Sequence, residues 1–264
     1  MASLLKQIQS KDNPLYKKAL RIAQGRKVGR ETWVWLEGIH LCQAWLDRGY
    51  EVAQLWVDAE RLELDQELQQ LIKRVPAQQI IQLPSALMRQ LSQVEHGQGV
   101  GAVAAMPEHV LGQTIHHSCV YLDRVQDPGN VGTLLRTVAA AGIDAVYLSS
   151  GCAAVWSQKV LRSAQGAHFA LQLYENVSID DFLERLCVPL YVTALEQAQS
   201  LYTMKLPPSV AWAFGNEGQG VAPALLQTAS QAVFIPQSTA VESLNVAVAA
   251  AVCLFEHRRQ QGVT

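Results

Sequence analysis

Val210-Ala211-Trp212-Ala213-Phe214-Gly215-Asn216-Glu217-Gly218-Gln219-Gly220 runs five apolar residues straight into a loop containing three glycines. An unbroken apolar run of this length reads as a strand of a parallel sheet, buried on both faces by helices. The loop lies at its carboxyl end, where open parallel sheets collect their ligands. Working outward, further apolar runs at residues 119–122, 145–148, 169–173, 190–193 and 233–235 read as sister strands. Helical patterns at 133–141, 158–165, 180–186, 223–229 and 244–259 separate them, and Ser178 before Asp180-Asp181 has the form of a helix start. Strand and helix alternate, so the fold class is α/β. The first part repeats the alternation on a smaller scale, with strands at 33–36, 52–57, 79–83 and 100–105 and helices at 18–23, 38–48, 64–74 and 85–91. Residues 106–112, with Pro107 and Gly112, mark the boundary.

Composition narrows the class. The 264 residues are 49% hydrophobic and 17% charged, the balance of a folded globular chain. MASLLKQIQSKDNP has no apolar run leading to a small-residue cleavage site, and the most apolar stretch, residues 246–255, is too short to span a bilayer. A cytoplasmic protein is expected. The five cysteines are widely spaced without a C-x-x-C pair, so each is expected to be a small buried apolar residue, and no metal site is expected. Net charge is only −2, yet residues 1–30 carry eight cations against Asp12, a local +7. Such an arm is either a solvated helical face or a surface that steers the protein toward phosphates.

Three strand-to-helix loops carry unusual chemistry. The first, Asp123-Arg124-Val125-Gln126-Asp127-Pro128-Gly129-Asn130-Val131-Gly132, leads to a helix bearing Arg136. Asn130 can donate and accept, and Gly129 and Gly132 would let main chain approach a ligand. The structural alternative is that Asn130 caps the helix and Arg136 is a surface residue. The second is Gly215 to Gly220. No Gly-Lys-Ser/Thr follows it, its order is not G-x-G-x-x-G, and Glu217 would repel a pyrophosphate. An acid beside a neutral or cationic ligand, or one that orders a neighbouring asparagine or arginine, fits better, and a nicotinamide oxidoreductase is disfavoured. The third, Ile235-Pro236-Gln237-Ser238-Thr239-Ala240-Val241-Glu242-Ser243-Leu244-Asn245-Val246, ends where Ser243 reads as the N-cap of an alanine-rich helix. The face formed by Ala247, Ala250, Ala251 and Leu254 is small enough for close helix packing.

Together, and in this order, the three loops resemble the motifs of the SpoU family of RNA ribose methyltransferases, within the SPOUT class. The family pattern is Asn/Asp-Pro-x-Asn-x-Gly-x-x-x-Arg, then Gly-Asn-Glu-Gly-x-Gly, then Ile-Pro with a loop and Ser-Leu-Asn-Val. These motifs stand here at 127–136, 215–220 and 235–246, with Gln237 and Thr239 where the family commonly has Met and Gly. The resemblance implies a knotted methyltransferase domain over 118–264 with a deep trefoil knot, a linker at 108–117, and a substrate-binding domain similar to ribosomal protein L30e over 1–107.

It further implies S-adenosylmethionine as cofactor, held by main chain at Thr193, Gly215, Ile235 and Leu244, with Gly218 and Gly220 shaping the loop. Asn130, Glu217, Ser243 and Asn245 are expected to shape the site, and Arg136 to contact the target nucleotide. The family often assigns this arginine as general base, but a guanidinium normally keeps its proton. Holding the adjacent phosphate and polarising the hydroxyl is the more conservative expectation. Arg26, Lys27 and Arg30 are candidates for RNA docking, with Arg162 contributing from the second domain. The implied assembly is a homodimer that packs the first-motif helix and the C-terminal helix across its interface, and the two-domain layout leans toward ribosomal over transfer RNA. The competing expectation is a non-catalytic RNA-binding dimer using the knotted domain as a scaffold.

Overall fold

The computed structural model describes residues 5–29, 32–95, 97–195 and 197–262. The chain divides into two compact units, Met1–Glu108 and His109–Thr264. In the first, the elements are β1 (Lys6–Gln7), α1 (Pro14–Ala23), β2 (Trp33–Glu37), α2 (Ile39–Asp47), β3 (Gln54–Asp58), α3 (Ala59–Leu64), α4 (Gln66–Ile72), β4 (Ile80–Leu83), α5 (Ser85–Leu91) and β5 (Val100–Ala105). The sheet order is β1-β4-β3-β5-β2. β1, β4 and β3 are parallel, whereas β5 runs antiparallel to both β3 and β2.

Local chemistry sets these boundaries. α1 starts four residues before the expected position because Asn13 accepts the Leu15 N–H at 2.9 Å and Pro14 occupies the first turn. It buries Tyr16, Ala19, Ile22 and Ala23 at helical spacing. The single helix expected at 64–74 is instead two, α3 and α4. Asp65 adopts an extended conformation between them and caps α4 through the Glu67 and Leu68 N–H groups.

The second unit contains β6 (Cys119–Leu122), α6 (Pro128–Ala140), β7 (Ala145–Leu148), α7 (Gln158–Ala164), β8 (Gln172–Tyr174), α8 (Ile179–Arg185), β9 (Leu190–Thr193), β10 (Gln199–Ser200), β11 (Ala211–Phe214), α9 (Pro223–Thr228), β12 (Gln231–Phe234) and α10 (Val246–Gln260). Among the described residues its seven strands are all parallel, in the order β10-β12-β9-β11-β6-β7-β8. Successive side chains of a strand face opposite sides, and β6 shows the consequence. Val120 and Leu122 join a core with α6, α7 and α10, whereas Cys119 and Tyr121 join one with Phe182 of α8 and Leu225 of α9. The strand expected at 169–173 is a 3-10 turn, Ala167–Ala170, followed by the shorter β8.

One expectation about packing is corrected. Gly132 does not open main chain to a ligand: a Cβ there would overlap Ser163 Oγ and the Val160 carbonyl, so this glycine lets α6 lie against α7. The small face of α10 packs closely, as expected, and does so within the chain: Ala247, Ala250 and Leu254 are buried in the core shared with α6. Arg258, near the end of α10, donates to the Ala141 carbonyl at 3.2 Å and so satisfies the carboxyl end of α6. Among the cysteines, Cys42, Cys119 and Cys253 are buried, with thiols pushed up to about 12 by desolvation, but Cys187 is exposed. Among the described residues, no helix is long and apolar enough to cross a membrane.

Candidate active site

Parallel register brings the three loops to one edge of the second sheet. Leu122 pairs with Phe214, Ala213 with Val192, and Thr193 with Val233. The carboxyl ends of β6, β11, β9 and β12 therefore stand side by side. Neighbouring strands lie about 4.8 Å apart, so the ends of the outermost two are separated by roughly 14 Å. Loops leaving four such ends meet over short distances.

The first loop enters α6 with Asp127 as N-cap, its carboxylate accepting the Asn130 N–H at 2.8 Å. Asp127, not Asn130, thus performs the capping, and the Asn130 side chain is left for other work. Its Nδ2 donates to Glu217 Oε1 at 2.8 Å, and its Oδ1 accepts from Asn245 Nδ2 at 2.9 Å. Residues separated by 87 and 115 positions meet in one hydrogen-bonded row.

The direction of this row is fixed at both ends. Asn245, rather than Ser243, is the N-cap of α10: its Oδ1 accepts from Ala247 N at 2.9 Å and Val248 N at 3.4 Å. Only its amide nitrogen is free to turn outward, so Asn130 must present oxygen to it. Asn130 in turn must present nitrogen to Glu217, a carboxylate that only accepts when ionised. The amide orientations follow from the network.

The glycine loop that carries Glu217 is built just as tightly. Asn216 and Gly220 exchange main-chain hydrogen bonds at 3.0 and 2.9 Å, and Asn216 Oδ1 accepts from Gly218 N and Gln219 N. A Cβ on Gly215 would overlap the main chain of Gly220, so glycine is required for the loop to close.

Other expected site residues are not joined to the row. Arg136 is exposed on α6 and, among the described residues, has no hydrogen-bond or ion-pair partner. It lies six residues beyond Asn130, about 9 Å along the axis and roughly 120° around the helix. Ser243 is exposed and forms no hydrogen bond among the described residues. Thr193, Ile235 and Leu244 are half-buried, whereas Gly215 is buried and Gly218 and Gly220 are exposed. In the third loop, residues 236–244 make no main-chain to main-chain hydrogen bond among the described residues.

Arg162 is half-buried, and its Nη1 is buried without a partner. In the first unit Arg26 and Lys27 are exposed, while Arg30 lies outside the described residues. His168 is no candidate base: it is 2% exposed, donates to the Val155 carbonyl, and burial holds its imidazole at about 4.

Sequence reasoning passed over a second group beside this row, formed by Asp123, Arg124, Ser149 and Asn216. Asp123 is buried at the end of β6 and binds the Arg124 guanidinium with both oxygens, at 3.0 and 3.1 Å. That contact raises the arginine's pKa above its usual value. A glycine–asparagine pair directly after a strand is the signal that marks the Asn216 turn. Nothing in the sequence marks Arg124, whose backbone is left-handed at φ 53°.

Residues 117–255 match the model described as the SpoU rRNA Methylase family, and residues 35–110 match the model for RNA 2′-O ribose methyltransferase substrate binding. The chain is 34% identical to the 23S rRNA (guanosine(2553)-2′-O)-methyltransferase of Bacillus subtilis, covering 96% of this chain and 100% of that protein. It is 30% identical to an uncharacterized tRNA/rRNA methyltransferase of Synechocystis, over 99% of this chain and 96% of the relative. Among solved structures, the AdoMet-bound rRNA methyltransferase from Sinorhizobium meliloti superposes with a TM-score of 0.82 at 26% identity, covering 97% of this chain and 98% of that one.

Proposed function

The chain belongs to the SpoU rRNA methylase family, and from that premise we infer that it transfers a methyl group from S-adenosylmethionine to a ribose 2′-hydroxyl of ribosomal RNA. The observation that carries this reading is the row Asn245–Asn130–Glu217, which ties all three family motifs together through side chains.

The residues present suit the cofactor. A carboxylate flanked by amides favours a cationic sulfonium over a phosphate-bearing nucleotide. Residues 236–244, which make no main-chain to main-chain hydrogen bond among the described residues, offer donors and acceptors for a polar ligand. Main chain at Thr193, Gly215, Ile235 and Leu244 would hold it, with Gly218 and Gly220 shaping the turn. When bound, the cofactor supplies an activated methyl electrophile, so the protein's task is in-line positioning of a weak hydroxyl nucleophile.

Asn130, itself held by Asn245, fixes the position of Glu217. Arg136, without a partner among the described residues, holds the phosphate beside the target ribose and polarises the hydroxyl while keeping its own proton. Ser243 lines the same loop. Arg26 and Lys27 extend phosphate contacts from the first unit, and Arg30 belongs to the same basic run. Arg162, half-buried on α7, adds a phosphate contact from the second unit.

A homodimer joined through α6 and α10 is supported by Val248 and Phe255, which lie two turns apart on α10 and are 50% and 46% exposed. The chain threading of the knot and a cytoplasmic location belong to the same proposal. Titration calorimetry tests the cofactor assignment: S-adenosylhomocysteine should bind saturably and NADH should give no heat. Binding of NADH alone would overturn it.

A further inference from the structure

We infer that Asp123 is a positioning residue for this reaction, holding the glycine loop so that Glu217 meets Asn130. Its carboxylate is 1% exposed and joins elements that are distant in sequence. Oδ2 accepts the Ala222 N–H at 2.7 Å, on the far side of the glycine loop, and the Asp123 N–H donates to the Phe214 carbonyl at 2.9 Å. The loop is thereby fastened where it begins and where it ends.

Arg124 adds the middle. Paired with Asp123 through Nε and Nη2, it donates from Nη1 to Gln219 Oε1 at 3.0 Å, and its carbonyl accepts from Asn216 Nδ2 at 3.0 Å. Ser149 Oγ accepts the Arg124 N–H at 2.8 Å and helps hold its left-handed backbone. Glu217 lies between Asn216 and Gly218, and the contacts of both trace back to this pair. Asp123 itself has no hydrogen bond to Asn130, Glu217 or Asn245 among the described residues, so it acts through the loop.

The inference rests on the methyl-transfer reading for its catalytic consequence, but its structural half is tested separately. In Asp123→Asn, amide hydrogen exchange should quicken over 215–222 and remain unchanged in the first unit. Unchanged protection of 215–222 overturns the inference whatever the activity. In the transfer assay kcat should fall between about 10- and 100-fold, with KM for RNA nearly unchanged. Combined with Glu217→Gln, it should cost little beyond Glu217→Gln alone, because both act at one point. Fully additive losses overturn it. Should Asp123→Asn fail to fold, Arg124→Ala carries the same three readouts, since that side chain is 37% exposed. A parent protein that transfers no methyl would sink the methyltransferase reading and leave the exchange result standing.

Discussion

Arg136→Ala lowers methyl transfer by at least about 10²-fold, while S-adenosylhomocysteine binds as tightly as to the parent. The size follows from removing a charge aimed at a developing negative oxygen, a loss of roughly 2.7–4 kcal/mol in comparable sites. The selectivity follows from location. Arg136 is exposed and has no partner among the described residues, so its removal leaves no buried group unpaired. The melting temperature should stay close to that of the parent, because exposed substitutions away from caps and cores cost within about 0.5 kcal/mol. Arg136→Lys should recover only part of the rate, since an ammonium lacks the planar fork that grips phosphate with two bonds. Turnover near the parent level in Arg136→Ala would remove the arginine from the mechanism.

Asn130→Asp produces the other large effect, a fall of about 10²-fold or more at neutral pH with the fold preserved. The substitution is nearly isosteric, but it replaces the donor facing Glu217 Oε1 at 2.8 Å with a second oxygen. Two unit charges 4 Å apart repel by about 4 kcal/mol at an effective dielectric near 20, and because Glu217 is exposed the repulsion here is well below that. The row must then break or spread. Stability is spared because Asp127 still caps α6 and an added acid in the first turn suits the helix dipole. Acidification should restore part of the activity, since one proton returned to the pair recreates a donor. Parent-like transfer at neutral pH would show that the hydrogen-bonded row has no catalytic role.

The sequence made some of this legible and hid the rest for identifiable reasons. Strands β6, β7, β9 and β11 could be read because both faces are covered and every position is apolar or small. β1 and β10 could not: each is two residues at a sheet edge, with no apolar run to announce it. Asp65 broke a helix that the apolar period alone would have continued. At the site, the identities of Asn130, Glu217 and Asn245 stood in the motifs, but their contacts depended on strand register. The Asp123–Arg124 clamp was invisible because a left-handed arginine carries no compositional mark. Ser243 reads as the cap because serine and asparagine are equivalent N-cap residues and the sequence offers both, whereas in the structure Asn245, two residues later, caps α10 and also feeds the row.

The central claim is that the methyl group reaches a ribose oxygen. Purified protein, S-adenosylmethionine carrying a deuterated methyl group and ribosomal RNA lacking the modification provide the measurement. The product is digested to nucleosides and read by mass spectrometry. The account predicts one labelled nucleoside with its added mass on the sugar and an adjoining 3′ phosphodiester that resists alkali. Label on a base, or no label in the RNA, would contradict it.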